Sequence, residues 1–121
     1  MFNNTGNVYI GYVYMMTNIK RNVLYIGVTH DLKRRVAEHK AHINSGFTDK
    51  YNVEFLVWYK EFRLYKEAIL YEKKLKNWKR EWKNNLIESL NPEWKDLSEG
   101  WIDKDFIEGI KQKYYIERHG M

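Results

Sequence analysis

The chain has no cysteine, which excludes a disulfide framework, a thiolate metal site and a cysteine nucleophile. One proline and seven glycines among 121 residues leave no Pro/Gly-rich linker, and the chain has no internal repeat or low-complexity segment. Long apolar runs are missing too. The longest, Val8 to Met16, reaches only about half a membrane span. The seven residues before it are mostly polar and carry no Lys or Arg, unlike a signal peptide. These absences predict a cytoplasmic protein with no membrane partner, and a disordered N-terminus over residues 1–7.

What is present is a well-stocked core and an uneven charge. At 44% hydrophobic and 17% aromatic, the chain can bury roughly two-thirds of its unfolded surface as one domain. The net charge is +5. Residues 1–92 hold 16 Lys/Arg against 9 Asp/Glu, whereas residues 93–121 hold 5 against 7. The positive field belongs to the first three-quarters, and phosphate is its natural partner. A solvated basic surface with no ligand accounts for charge alone equally well.

Val8–Met16 is rich in β-branched and aromatic residues and reads as a buried strand. A polar turn, Thr17 to Asn22, joins it to a second strand over Val23–Val28, and so short a connection makes an antiparallel hairpin. A helix is predicted from Asp31, a good N-cap, to Ile43, with Leu32, Val36 and Ile43 in its apolar stripe and His39 on the same line. A polar loop over 44–52 precedes a third strand, Val53–Tyr59. Leu64, Ala68, Tyr71, Leu75, Trp78 and Trp82 then recur at steps of four and three, as one buried helical face. Lys79-Arg80 marks an interruption, a further helix ends before Asn91-Pro92, and an amphipathic segment spans Ile102–Tyr114. The expected fold is α/β, of the α+β kind: a small three-stranded antiparallel sheet flanked by helices.

Several polar residues are not explained by local structure. Tyr14 and Tyr25 sit on the hairpin strands, where cross-strand pairing can bring both rings to one face. Arg35 and His39 lie four apart on a helix, beside its apolar stripe, and need partners there. Gly27 closes the second strand, as a turn glycine or as a place where phosphate approaches the backbone. Glu72 borders the buried face of the long helix among Lys73, Lys74, Lys76, Lys79, Arg80 and Lys83. It reads either as an ion pair with Lys76 or as a metal ligand, since Mg²⁺ often takes one carboxylate plus waters and substrate phosphate.

In this order the residues resemble the GIY-YIG nuclease superfamily, and most of all its small stand-alone bacterial members, related to the N-terminal nuclease domain of an excinuclease. Tyr12-Val13-Tyr14 stands at the GIY motif and Tyr25-Ile26-Gly27 reproduces YIG; Arg35, His39, Glu72 and Asn91 follow at the family's positions. Tyr12 departs from the pattern, replacing the motif glycine. The resemblance covers residues 8–97 and leaves 98–121 as an amphipathic tail without an inherited role. It implies a GIY-YIG-like fold and metal-dependent hydrolysis of nucleic-acid phosphodiesters, with DNA ahead of RNA. Glu72 would hold Mg²⁺ or Mn²⁺, Arg35 the phosphate, Tyr14 or Tyr25 the attacking water, and His39 would relay its proton; Asn91 completes the catalytic set. Gly27, Lys33, Arg34, Lys73 and Lys76 are the expected nucleic-acid contacts. No small-molecule cofactor is implied. Targeting falls to the chain's own surface or to a protein partner. The alternative is a non-cleaving basic nucleic-acid-binding module on the same fold.

Overall fold

Along the first strand Val13 and Met15 point to one side, Tyr14 and Met16 to the other, and all four are fully buried. A strand buried on both sides needs a layer of helix on each face. The structure, a computed structural model, describes residues 9–43 and 46–119; the predicted disorder of residues 1–7 lies outside them. Strand β1 (Gly11–Thr17) lies between β2 (Leu24–Thr29) and β3 (Phe55–Phe62), antiparallel to both, giving the order β2-β1-β3. The α+β class and the hairpin are as expected. A bulge between Met15 and Met16 shifts the register against β3.

Among the described residues five helices surround this sheet. Helix α1 (Leu32–Lys40) packs Leu32 and Val36 against Tyr14, Met16 and Leu56 on one face. Asp31 caps it, accepting a hydrogen bond from the Arg34 amide. Helices α3 (Tyr65–Lys76) and α4 (Arg80–Leu90) cover the other face, where Ala68, Leu75 and Ile87 meet Val13, Met15 and Ile26. Between α1 and β3 a single turn of helix, α2 (Phe47–Lys50), occupies the stretch predicted as loop. The first strand starts at Gly11 rather than Val8, with Tyr9 outside it and half exposed.

The apolar stripe predicted from Leu64 to Trp82 is interrupted. Ala68 and Leu75 are buried, but Leu64 and Trp82 are 43% and 50% exposed. The helix ends at Lys76 and the next starts at Arg80, close to the expected interruption at Lys79-Arg80, so Trp82 belongs to a separate helix.

The last helix, α5 (Lys104–His119), lies on the outer side of α1, where Ile110 packs with Ala37 and Ala41 and with the half-buried Ile102 and Phe106. Ile110→Ala is therefore expected to destabilise the chain by about 2–3 kcal/mol in urea unfolding, the range for a large aliphatic truncated in a core. An unchanged midpoint would mean that α5 is not docked. Among the described residues no helix is long and apolar enough to cross a membrane.

Candidate active site

Tyr14 sits opposite Gly27 in the sheet, and Tyr25 opposite Met16. Their rings meet on the α1 face with centroids 6.2 Å apart. His39 completes the cluster from α1, its ring 5.8 Å from Tyr14 and 5.4 Å from Tyr25. Tyr14 Oη and His39 Nε2 are 3.0 Å apart and buried.

The glycine of the YIG triplet has a specific cause here. A Cβ at Gly27 would stand 2.5 Å from Cζ and Oη of Tyr14, so the tyrosine ring occupies the space that a side chain would need. The space on this side of Gly27 is filled from within the protein, a packing reason for glycine that stands beside the turn and phosphate readings.

The Arg35 guanidinium lies close enough to the Tyr14 hydroxyl to act on it electrostatically. Its Nε donates to Glu38 Oε1 at 3.1 Å, while Arg34 Nε donates to Glu38 Oε2 at 3.1 Å. One carboxylate thus orients two guanidinium groups. Glu38 was not singled out from sequence, although its offsets of three and four from the arginines were there to read. Phe47 is the second such residue. It stacks on Tyr25 at 6.3 Å from the α2 turn, a contact that no local pattern announces. His42 ties this turn down by hydrogen bonds to Asp49, at 2.9 Å, and to Glu54.

The electrostatics of the cluster follow from burial. Desolvation raises the Tyr14 pKa well above the ordinary phenol range, and the neighbouring Tyr25 adds to it; Arg35 acts the other way without reversing the shift. Burial, then Arg35, lowers His39 to about 4, so its ring is neutral at pH 7. The neutral imidazole and the Tyr14 hydroxyl share one hydrogen bond, and the tautomer of the ring decides which of them donates.

This shift predicts a pH dependence. A histidine whose folded pKa lies below its unfolded value of about 6.5 binds more protons when unfolded. Stability is then fully present above pH 6.5 and is lost as the pH falls towards 4, by about 3 kcal/mol in all. Urea midpoints at pH 7 and 4.5 should differ more for the wild type than for His39→Gln; equal differences would contradict a buried neutral His39. His42 has the opposite sign. Its carboxylate hydrogen bonds outweigh desolvation and raise its pKa, so its contribution is lost as the pH rises above 6.5.

The structure brings Tyr14, Tyr25, Arg35 and His39 together, and none of the four is a hydrogen-bond or ion-pair partner of Glu72 or Asn91. Glu72 is buried on α3, in the layer over the other face, with Lys76 Nζ 2.7 Å from its Oε2. Asn91 follows α4 and pins a turn: its amide donates to the carbonyls of Val57 and Lys95 and accepts from the Lys95 amide. Its side chain is fully engaged there, away from the tyrosines. Lys33 lies over the Phe106 ring at 4.7 Å, and Lys73 is exposed.

No group of three or more His, Asp or Glu that could hold a metal occurs among the described residues. A lone carboxylate on a buried helix face is nevertheless compatible with Mg²⁺, which keeps several waters and takes phosphate oxygens as further ligands.

A hairpin with two tyrosines, followed by a helix that supplies an arginine and a histidine to them, is the arrangement of a nuclease-type domain. The chain belongs to the GIY-YIG family: residues 10–85 match the GIY-YIG catalytic domain. Among solved structures it is similar to a UPF0213 protein from Bacillus halodurans determined by solution NMR. The two are 23% identical with a TM-score of 0.48, over 75% of this chain and 96% of that one. No match was found among curated proteins.

Proposed function

We propose that the protein is a metal-dependent endonuclease that hydrolyses phosphodiester bonds, with DNA as substrate. The observation that carries this reading is the buried pair of Tyr14 Oη and His39 Nε2 at 3.0 Å, with the Arg35 guanidinium beside the same hydroxyl.

Glu72 is the residue to hold Mg²⁺ or Mn²⁺, which would stabilise charge on the scissile phosphate and leaving oxygen. Arg35, held through Nε by Glu38, turns its remaining N–H groups to phosphate oxygens. Burial keeps Tyr14 protonated, so its proton moves only in a relay: Oη takes a proton from the attacking water as it gives its own to Nε2 of His39. Tyr25, half-buried under Phe47, positions that water. Lys33, Arg34, Lys73 and Lys76 contribute phosphate contacts without reading sequence.

The raised pKa of Tyr14 favours a second reading, a binding module that does not cut. One assay separates the two. With supercoiled plasmid, the wild type is expected to produce nicked circles in Mg²⁺ or Mn²⁺ and none in EDTA. Both readings predict duplex binding with a log–log salt slope near −3 to −4 if about four cations engage phosphates. Binding at that slope without nicking in either metal would establish the module; a slope near zero would remove both.

A further inference from the structure

A cleft of about 580 Å³ opens beside the tyrosine cluster, a size within the range of small-molecule sites. Its lining includes Tyr12, Tyr59 and Trp101 together with Asp31, Glu61, Lys33 and the imidazole of His30. Tyr12 is two residues before Tyr14 on β1, and Tyr59 is paired with Tyr14 across the sheet, so the cleft adjoins the proposed reaction centre. Trp101 stands edge-on to Tyr59 with centroids 5.6 Å apart. Tyr12 is paired with Glu61 across the sheet.

We propose that this cleft takes one unpaired nucleobase of the strand being cut, an inference that rests on the nuclease reading above. Three aromatic side chains offer stacking faces to a planar ring. Two carboxylates against one ammonium make the cleft unsuitable for phosphate, although the chain as a whole is basic. What suits it is an apolar ring with amino donors on its edge. Cytosine, adenine and guanine carry exocyclic amines that donate to carboxylates, whereas thymine does not. A paired base has its faces stacked and its edge engaged, so only a base out of the helix can enter. Tyr12 replaces the glycine of the GIY triplet, and the replacement supplies one wall. Trp101, from beyond the matched residues 10–85, supplies another.

The test uses the full chain in EDTA, so that binding is read without cleavage. Fluorescence anisotropy compares four duplexes that differ at one central position: fully paired, bulged cytosine, bulged thymine and bulged abasic site. The abasic bulge controls for bending. Bulged cytosine is expected to bind about tenfold more tightly than the paired and abasic duplexes, a factor typical of one stacked base, with thymine between. Tyr12→Ala and Trp101→Ala should each lose that factor while keeping paired-duplex affinity, and Tyr12→Phe should retain it. Trp101 also packs on the core, so Tyr12→Ala decides if the tryptophan variant unfolds. Equal affinity for cytosine and abasic bulges, or a preference that survives Tyr12→Ala, would overturn the proposal. Metal-dependent nicking without base preference would remove the cleft alone, whereas no salt-dependent binding to any duplex would remove the nuclease reading with it. Aromatic walls with carboxylates also suit an alkylammonium group; competition by tetramethylammonium chloride beyond that of sodium chloride, without base preference, would assign the cleft to a cation instead.

Discussion

Glu72→Gln is expected to lower nicking by about a thousandfold while leaving DNA binding unchanged or slightly tighter. The amide keeps the shape and helix propensity of the carboxylate but not the charge that holds a divalent ion. Loss of that transition-state stabilisation is worth several kcal/mol. Structurally the change is mild. It removes the attraction between Glu72 and Lys76, whose ammonium is largely exposed, so only a few tenths of a kcal/mol of stability should go. The readouts are the nicking rate in saturating Mg²⁺ and the salt-dependent duplex affinity, each on protein verified as folded. Nicking at the wild-type rate would leave Glu72 as an ordinary helix ion pair.

Gly27→Ala is the second large effect, and it acts without touching substrate. The added methyl would stand 2.5 Å from Cζ and Oη of a ring that is fully buried. Tyr14 cannot swing outward, so either the sheet or the phenol must shift. Overpacking of this kind costs about 1–3 kcal/mol. A hydroxyl moved by about 1 Å from His39 lowers the rate about a hundredfold. Urea unfolding and the nicking rate should therefore fall together. Tyr14→Phe provides the contrast: it removes the proton from the relay without adding volume, so activity falls with a smaller change in packing. A Gly27→Ala protein with wild-type stability and rate would show that the ring has room to yield.

The hairpin, the first helix and the four residues of the tyrosine cluster were legible in sequence, because each rests on a local pattern: strand alternation, a polar turn, an N-cap and the spacing of four between Arg35 and His39. What was not legible depends on contacts across the fold. The reason for Gly27 lies in the ring of a residue thirteen positions earlier. Phe47 reaches Tyr25 from a four-residue helix too short to leave a periodic signal. Asn91 carries a family position, yet the carbonyls of Val57 and Lys95 occupy its amide. The break before Trp82 was legible as the interruption at Lys79-Arg80, but the exposure of Leu64 and Trp82 was not. Tyr12 registered as a departure from a motif; only the fold sets it beside Tyr59 and Trp101.

The docking of α5 on the outer side of α1 has a kinetic consequence. The helix that carries Arg35 and His39 packs Leu32 and Val36 against the sheet and Ala37 and Ala41 against α5, so two of its sides depend on neighbours. Native-state hydrogen exchange in α1 should then proceed through an opening that first releases α5, placing the two helices in one cooperative unit with α5 at the low-energy end. Loosening of α5 would thus be felt at the tyrosine cluster as motion of its arginine and histidine.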